Sequence, residues 1–130
     1  MTAAAGHRYS ETIVPGPSDS AQRWGNTGLD VLSTPAIVGH METVCVRMLA
    51  THLPPDTMTV GTAIEMRHLA PVRVGEPVDI EVATPEIGGR MTFQFRVTDA
   101  QGQVVAKGSH RRAMVETKQF LDRLRAADRG

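Results

Sequence analysis

One cysteine, Cys45, leaves no partner for an internal disulfide and too few thiolates for a cysteine-built zinc site. Neither charge is in surplus, because 14 Lys and Arg balance 14 Asp and Glu. No basic excess is present to neutralise a phosphate backbone, so nucleic acid is not an expected partner. No apolar run approaches the roughly 20 residues needed to cross a bilayer, so no membrane span is expected. The stretch Met1 to Gly16 lacks the apolar h-region of a cleaved secretory signal. A reducing cytoplasm is the expected compartment. His7, His40, His52, His68 and His110 show no ligand spacing such as H-E-x-x-H, so no metal is expected. Aromatic residues make up only 4%, and the core must be built from Val, Ile, Leu, Ala and the seven methionines.

The 130 residues suit a single domain over 1–130, with 1–8 expected to be flexible. Tyr9 to Val14 reads as a short strand stopped by Pro15-Gly16-Pro17. Ser18 to Ser33 is polar and rich in turn-formers (Gly25, Asn26, Gly28), and reads as a long loop of the kind that often serves as a lid. Thr34-Pro35 is a helix start, with Thr34 as N-cap and Pro35 at the first helical position. Apolar residues then recur at Ile37, Val38, Met41, Val44, Cys45, Met48 and Leu49, one face of an amphipathic helix ending near Leu53 before Pro54-Pro55.

Beyond the helix the period falls to two. Met58, Val60, Ile64 and Met66 suggest a long strand containing Gly61, and Val78 to Val82 a second. Met91 to Thr98 follows the Gly88-Gly89 turn, and Gln103 to Val115 follows the turn at Asp99 to Gly102. Glu116 to Ala127 reads as a terminal helix. The order β-α-β-β-β-β-α predicts an α+β domain: one antiparallel sheet wrapped around a long helix, with a short C-terminal helix. A sheet this small has exposed edges, which dimerisation commonly covers.

Two stretches carry a resemblance. Pro71-Val-Arg-Val-Gly-Glu-Pro-Val resembles the "P-V-x-x-G-(D/E)-x-V" of the hot-dog fold, and Gly102-Gln-Val-Val-Ala-Lys-Gly its "G-x-x-V-A-x-G". Within that superfamily the chain is most similar to the fluoroacetyl-CoA thioesterase group. The matches are Ser33 to Met48 with M-E-x-x-C-V-R, Val60 to His68 with V-G-T-x-I-x-x-x-H, and Gly108 to Ala113. The resemblance implies a homodimer with active sites at the subunit interface; whether dimers pair further into a tetramer stays open. It implies acyl-CoA substrates, with CoA part of the substrate and no separate cofactor. The family's catalytic threonine, glutamate and histidine fall on Thr34, Glu42 and His68. The loop before Thr34 departs from the group: it lacks the lid phenylalanines, and Trp24 is its one aromatic residue.

Each position also has a plainer reading. Thr34 is an ordinary N-cap, worth about 1 kcal/mol, and gains a catalytic meaning only with its companions. Glu42 lies roughly 20° beyond Leu49 on a helical wheel, at the margin of the apolar arc. A partly desolvated carboxylate there suits a general base, or else it pairs with an arginine. His68 shares strand parity with Ile64 and Met66, which suits a semi-buried histidine or a proton donor to a leaving thiolate. His110 and His40 compete, although His40 projects roughly 100° from the arc's centre and reads as surface or interface. Cys45 lies mid-arc and reads as core.

Gly39 and Gly61 read as points of close approach for sheet, partner helix or ligand. Arg111 and Arg112, helped by Lys107 or Arg90, are a candidate cradle for CoA phosphates. The expected function is hydrolysis of an acyl-CoA thioester. Two alternatives remain open here: a hot-dog enoyl-CoA hydratase or dehydratase, and a non-catalytic acyl-CoA-binding module. Ile37-Val-Gly-His-Met is similar to the hydratases' I-A-H-G-M, but its Gly and His are reversed and the D-x-x-x-x-H pair is missing.

Overall fold

Ser33 and Pro35 fix where the long helix begins. In a computed structural model, which describes residues 6–129, α1 runs over Thr34–Leu49. Its cap is Ser33, in extended backbone, whose hydroxyl accepts the Ala36 N–H at 3.3 Å. Thr34, expected as the cap, is instead the first helical residue. Pro35 then stands second in the helix, where its missing N–H would have had no carbonyl partner.

The helix also stops earlier than expected. Ala50 and His52 donate to the Arg47 and Leu49 carbonyls at 3.3 and 2.9 Å, closing a turn after Leu49. Leu53 precedes Pro54 and is driven from helical backbone by the proline ring. Ile37, Met41, Val44, Cys45, Met48 and Leu49 are buried, the arc that the periodicity predicts. Burial of each large aliphatic side chain there contributes about 1.5–3 kcal/mol.

Five strands form one antiparallel sheet: β1 (His7–Ile13), β2 (Thr57–His68), β3 (Val78–Thr84), β4 (Arg90–Asp99) and β5 (Val104–Glu116). Their spatial order is β1-β3-β4-β5-β2. A second helix, α2, covers Thr117–Arg129. β4 alternates strictly, with Met91, Phe93, Phe95 and Val97 buried in the core that includes α1. His7 and Arg8 already pair with Thr84 and Ala83, which shortens the stretch expected to be flexible; residues 1–5 of it lie outside the described residues.

Residues 18–33 are more ordered than a plain loop. They carry short 3-10 turns at Pro17–Asp19 and Ala21–Trp24, and Ser20 and Val31 bridge to Leu32 and Arg73. Leu32 sits in the core.

β2 holds the one element of the sheet that the alternation misread. Its register shifts between Gly61 and Ala63, so Met58 and Val60 do not share a face with Ile64 and Met66. Beyond the bulge Ile64, Met66 and His68 lie opposite His110, Gly108 and Ala106; before it Gly61 lies opposite Arg112. Because β2 is an edge strand, Ile64 is on the core side yet 43% exposed. Among the described residues no helix is long and apolar enough to cross a membrane.

Candidate active site

Capping by Ser33 leaves the Thr34 hydroxyl free, and it is used elsewhere. Thr34 Oγ1 and His68 Nδ1 share a hydrogen bond of 2.8 Å, which joins the start of α1 to the end of β2. His68 Nε2 is buried and has no hydrogen-bond partner among the described residues. An unmet buried ring nitrogen costs about 1–3 kcal/mol.

Glu42 belongs to a second cluster, further along the helix. Arg112 Nη1 donates to its Oε2 at 3.0 Å, and His110 Nε2 lies 3.5 Å from the same oxygen. Arg112 is 5% exposed, and its other bonds fix it: Nε donates to Thr59 Oγ1 at 2.9 Å, Nη2 to the Thr59 carbonyl at 3.0 Å. His110 Nδ1 bonds the Ala63 carbonyl at 2.9 Å, so Nδ1 carries the hydrogen and Nε2 accepts from Arg112 Nη1 at 3.0 Å. This neutral ring makes its contact with Glu42 one of neighbours rather than an ion pair. Burial is the largest influence on His110 and pushes its pKa down, helped by the Arg112 charge and opposed by the Ala63 bond and Glu42.

Gly61 makes room for the cluster. A Cβ there would stand 2.6 Å from Glu42 Oε2 and 3.0 Å from His110 Cε1, so its close approach is to the α1 carboxylate of the same chain. Gly39 differs: a Cβ there would meet nothing within 4 Å among the described residues.

The structure therefore brings Thr34 to His68, but Glu42 bonds to neither. The arginine pair divides as well. Arg112 faces inward and is engaged by Glu42 and Thr59, and it also borders the groove that Arg111 lines. Arg111 is exposed and lines an outer groove of about 330 Å³ with Arg90 and Thr62. His40 is not simply surface: its Nε2 meets Asp19 Oδ1 at 2.8 Å. Cys45 is buried, and desolvation pushes its thiol up to about 12, as a core residue should behave.

Three groups escaped the sequence reading: Thr59 and Arg112 as the frame for Glu42, and Asp19. Counting strand parity back from Arg112 through His110 to Ala106 would have put Arg112 on the core side. Asp19 has no such signal. Its Oδ2 accepts the Gly16 N–H at 2.9 Å and its carbonyl the Ser33 N–H at 2.8 Å, so it ties the 18–33 segment to the residue before Thr34.

One long helix on a five-stranded antiparallel sheet of this order is the hot-dog fold. A family profile for fluoroacetyl-CoA-specific thioesterases matches residues 16–118. The fluoroacetyl-CoA thioesterase of Streptantibioticus cattleyicolor is 32% identical over 97 residues, covering 74% of this chain and 69% of the relative. A solved complex of a fluoroacetyl-CoA-specific thioesterase variant with fluoroacetate and CoA superposes with a TM-score of 0.80. It is 26% identical, over 89% of this chain and 98% of that one. A hot-dog-like protein from Thermanaerovibrio acidaminovorans gives a TM-score of 0.86 at 25% identity, over 95% of this chain and 91% of that one. The chain belongs to the fluoroacetyl-CoA-specific thioesterase family.

Proposed function

We propose that the chain hydrolyses an acyl-CoA thioester as a homodimer, with each active site shared between two copies. The observation that carries this is the separation of the three groups. Thr34 and Glu42 are eight residues apart on one helix, about 12 Å at 1.5 Å of rise per residue. That rise, together with Glu42 bonding to Arg112 and not to Thr34 or His68, favours a carboxylate that meets the pair across two copies. A two-fold axis beside the open edge of β2, where residues 61–65 are exposed, supplies Glu42 from the second copy. The partnerless His68 Nε2 supports the same reading, since substrate or a second copy would complete it.

The chemistry then divides among named groups. Free N–H groups at the start of α1 and the Thr34 hydroxyl orient the thioester carbonyl and stabilise its oxyanion. Glu42, steadied by Arg112 through Oε2, takes the proton of an attacking water, or attacks the carbonyl itself and expels the thiolate to form a short-lived anhydride that a water then cleaves to free acid and Glu42. As the carbon–sulfur bond breaks, His68 assists proton transfer to the departing thiolate. Arg111 is the member of the arginine pair left facing solvent for a CoA phosphate.

Family membership does not fix the acyl group. The fluoroacetyl enzymes' lid phenylalanines are missing from residues 18–33, and Trp24 is 55% exposed with the Arg23 guanidinium 5.8 Å from its ring centroid. The test is thiol release from acetyl-, fluoroacetyl-, butyryl-, longer-chain and aryl-CoA thioesters, with Glu42→Gln alongside. Loss of about 10²–10⁴ in turnover in the variant is expected for removal of a general base or nucleophile. Unchanged turnover sinks Glu42 as the catalyst. Release from no thioester, with CoA binding retained, indicates a binding module, and hydration of crotonyl-CoA a hydratase.

A further inference from the structure

The outer face of the sheet carries a row of cations that the chemistry above does not use. Arg96 on β4 pairs in register with Lys107 on β5, and Lys107 with Arg67 on β2. Three positive side chains therefore leave three adjacent strands in one line. All three are exposed, and none forms an ion pair among the described residues. Neighbouring strands stand about 4.8 Å apart, so the line spans about 10 Å. Like charges set directly opposite one another work against sheet pairing, and nothing in the core requires them here.

The row borders a groove of about 410 Å³ that Arg8 also lines. The next register row carries Ala83, Gln94, Ser109 and Glu65 across β3, β4, β5 and β2, with no cation in it. Two carboxylates reach the groove. Glu81 ends the cation row on β3, opposite Arg96 in register, but is already held by Arg8 at 2.9 Å, and Glu65 stands one row on, at the β2 edge. Four cations thus face two carboxylates, in a chain whose net charge is zero.

We propose that this groove binds the phosphate groups of a small ligand. Arg67 and Arg96 offer planar forks of N–H donors and Lys107 a point charge between them. A ligand with two or more phosphates meets the row without drawing the three stems together. Such phosphates come either from the nucleotide of the CoA substrate, which rests on the thioesterase reading, or from a separate phosphorylated molecule.

The test is direct binding, by calorimetry, of inorganic pyrophosphate, CoA and phosphate-free pantetheine to the protein, to Lys107→Glu and to Lys118→Gln/Arg123→Gln. The last removes two exposed cations from α2 as a control. Pyrophosphate should bind the parent, more weakly as salt rises, and lose at least about tenfold in Lys107→Glu, as removal of one charge-assisted contact implies. The melting temperature of Lys107→Glu should stay level or rise, because a carboxylate now separates two arginines; the loss is then not unfolding. CoA weakened alongside pyrophosphate, with pantetheine unaffected, identifies the substrate's own nucleotide as the source. Pyrophosphate weakened alone identifies a separate ligand. No pyrophosphate binding by the parent, or an equal loss in the α2 control, overturns the proposal. Because no turnover is measured, absence of thiol release ends the thioesterase reading and leaves this result standing.

Discussion

Gly61 shows how one missing side chain places a reactive group. With no Cβ, the strand lets the Glu42 carboxylate lie against it within reach of Arg112 and His110. Gly61→Ala should therefore act on chemistry more than on folding. The flexible carboxylate yields before the backbone does, while alanine in a strand removes freedom from the unfolded chain, worth about 0.4–1 kcal/mol. Expected is a fall in kcat of at least about tenfold, a 1.4 kcal/mol effect on the barrier, with a melting temperature within a few degrees of the parent. Equal kcat would show that the carboxylate works from another position. His110 makes a second prediction at this scale. Its folded pKa lies below the ordinary 6.5, so between the two values the unfolded chain binds the extra proton. Its contribution to stability is complete above pH 6.5 and is lost as pH falls through that window toward the folded value. Urea melts at intervals from pH 7 to pH 5 should show stability falling with pH, and His110→Asn should flatten that slope. An unchanged slope assigns the pH dependence to other groups.

At the scale of elements, the start of α1 separates capping from catalysis between two adjacent residues. Ser33→Ala removes the oxygen that accepts the Ala36 N–H and should cost about 1 kcal/mol of stability. Thr34→Val keeps the shape and removes only the hydroxyl bonded to His68, so stability should hold within about 0.5 kcal/mol while turnover falls. Chemical denaturation and thiol release on the two variants decide it, and the reverse pattern would restore Thr34 as the cap. The same boundary shows what the sequence could express. Periodicity carried α1 and β4, because both bury one unbroken face against the core. It could not carry the bulge in β2, since one extra residue at Thr62 leaves Met58, Val60, Ile64 and Met66 looking evenly alternated while their faces change over. Resemblance supplied Thr34, Glu42 and His68; residue type alone offered a cap, a rim carboxylate and a semi-buried histidine. Arg112 read as half of a solvated pair because its partners, Thr59 and Glu42, lie 53 and 70 residues away. Pairing of β2 with β5 brings Thr59 to Arg112, and packing of α1 on the sheet brings Glu42.

At the scale of the whole molecule, the geometry of one chain becomes a statement about two. If Thr34–His68 of one copy works with Glu42 of the other, single-site variants must complement each other in a mixed dimer. Thr34→Val and Glu42→Gln are each expected to lose turnover alone. In a dimer holding one of each, one site collects both lesions, and the other joins an intact Thr34 to an intact Glu42. Random pairing after denaturation and joint refolding gives heterodimers in half of the population, each with one sound site, so about a quarter of parental activity should return. Were Thr34 and Glu42 of the same chain to serve one carbonyl, every site in the mixture would carry one lesion and no activity would return. Refolding each variant separately controls for recovery unrelated to exchange. Sedimentation of the parent must show a dimer for the experiment to have its meaning, and substitution of Ile64 by lysine, which sets a charge on the open edge of β2, should shift that dimer toward monomer and take turnover down with it. A monomer that kept full turnover would place the whole reaction within one chain, against the roughly 12 Å that the helix puts between its threonine and its glutamate.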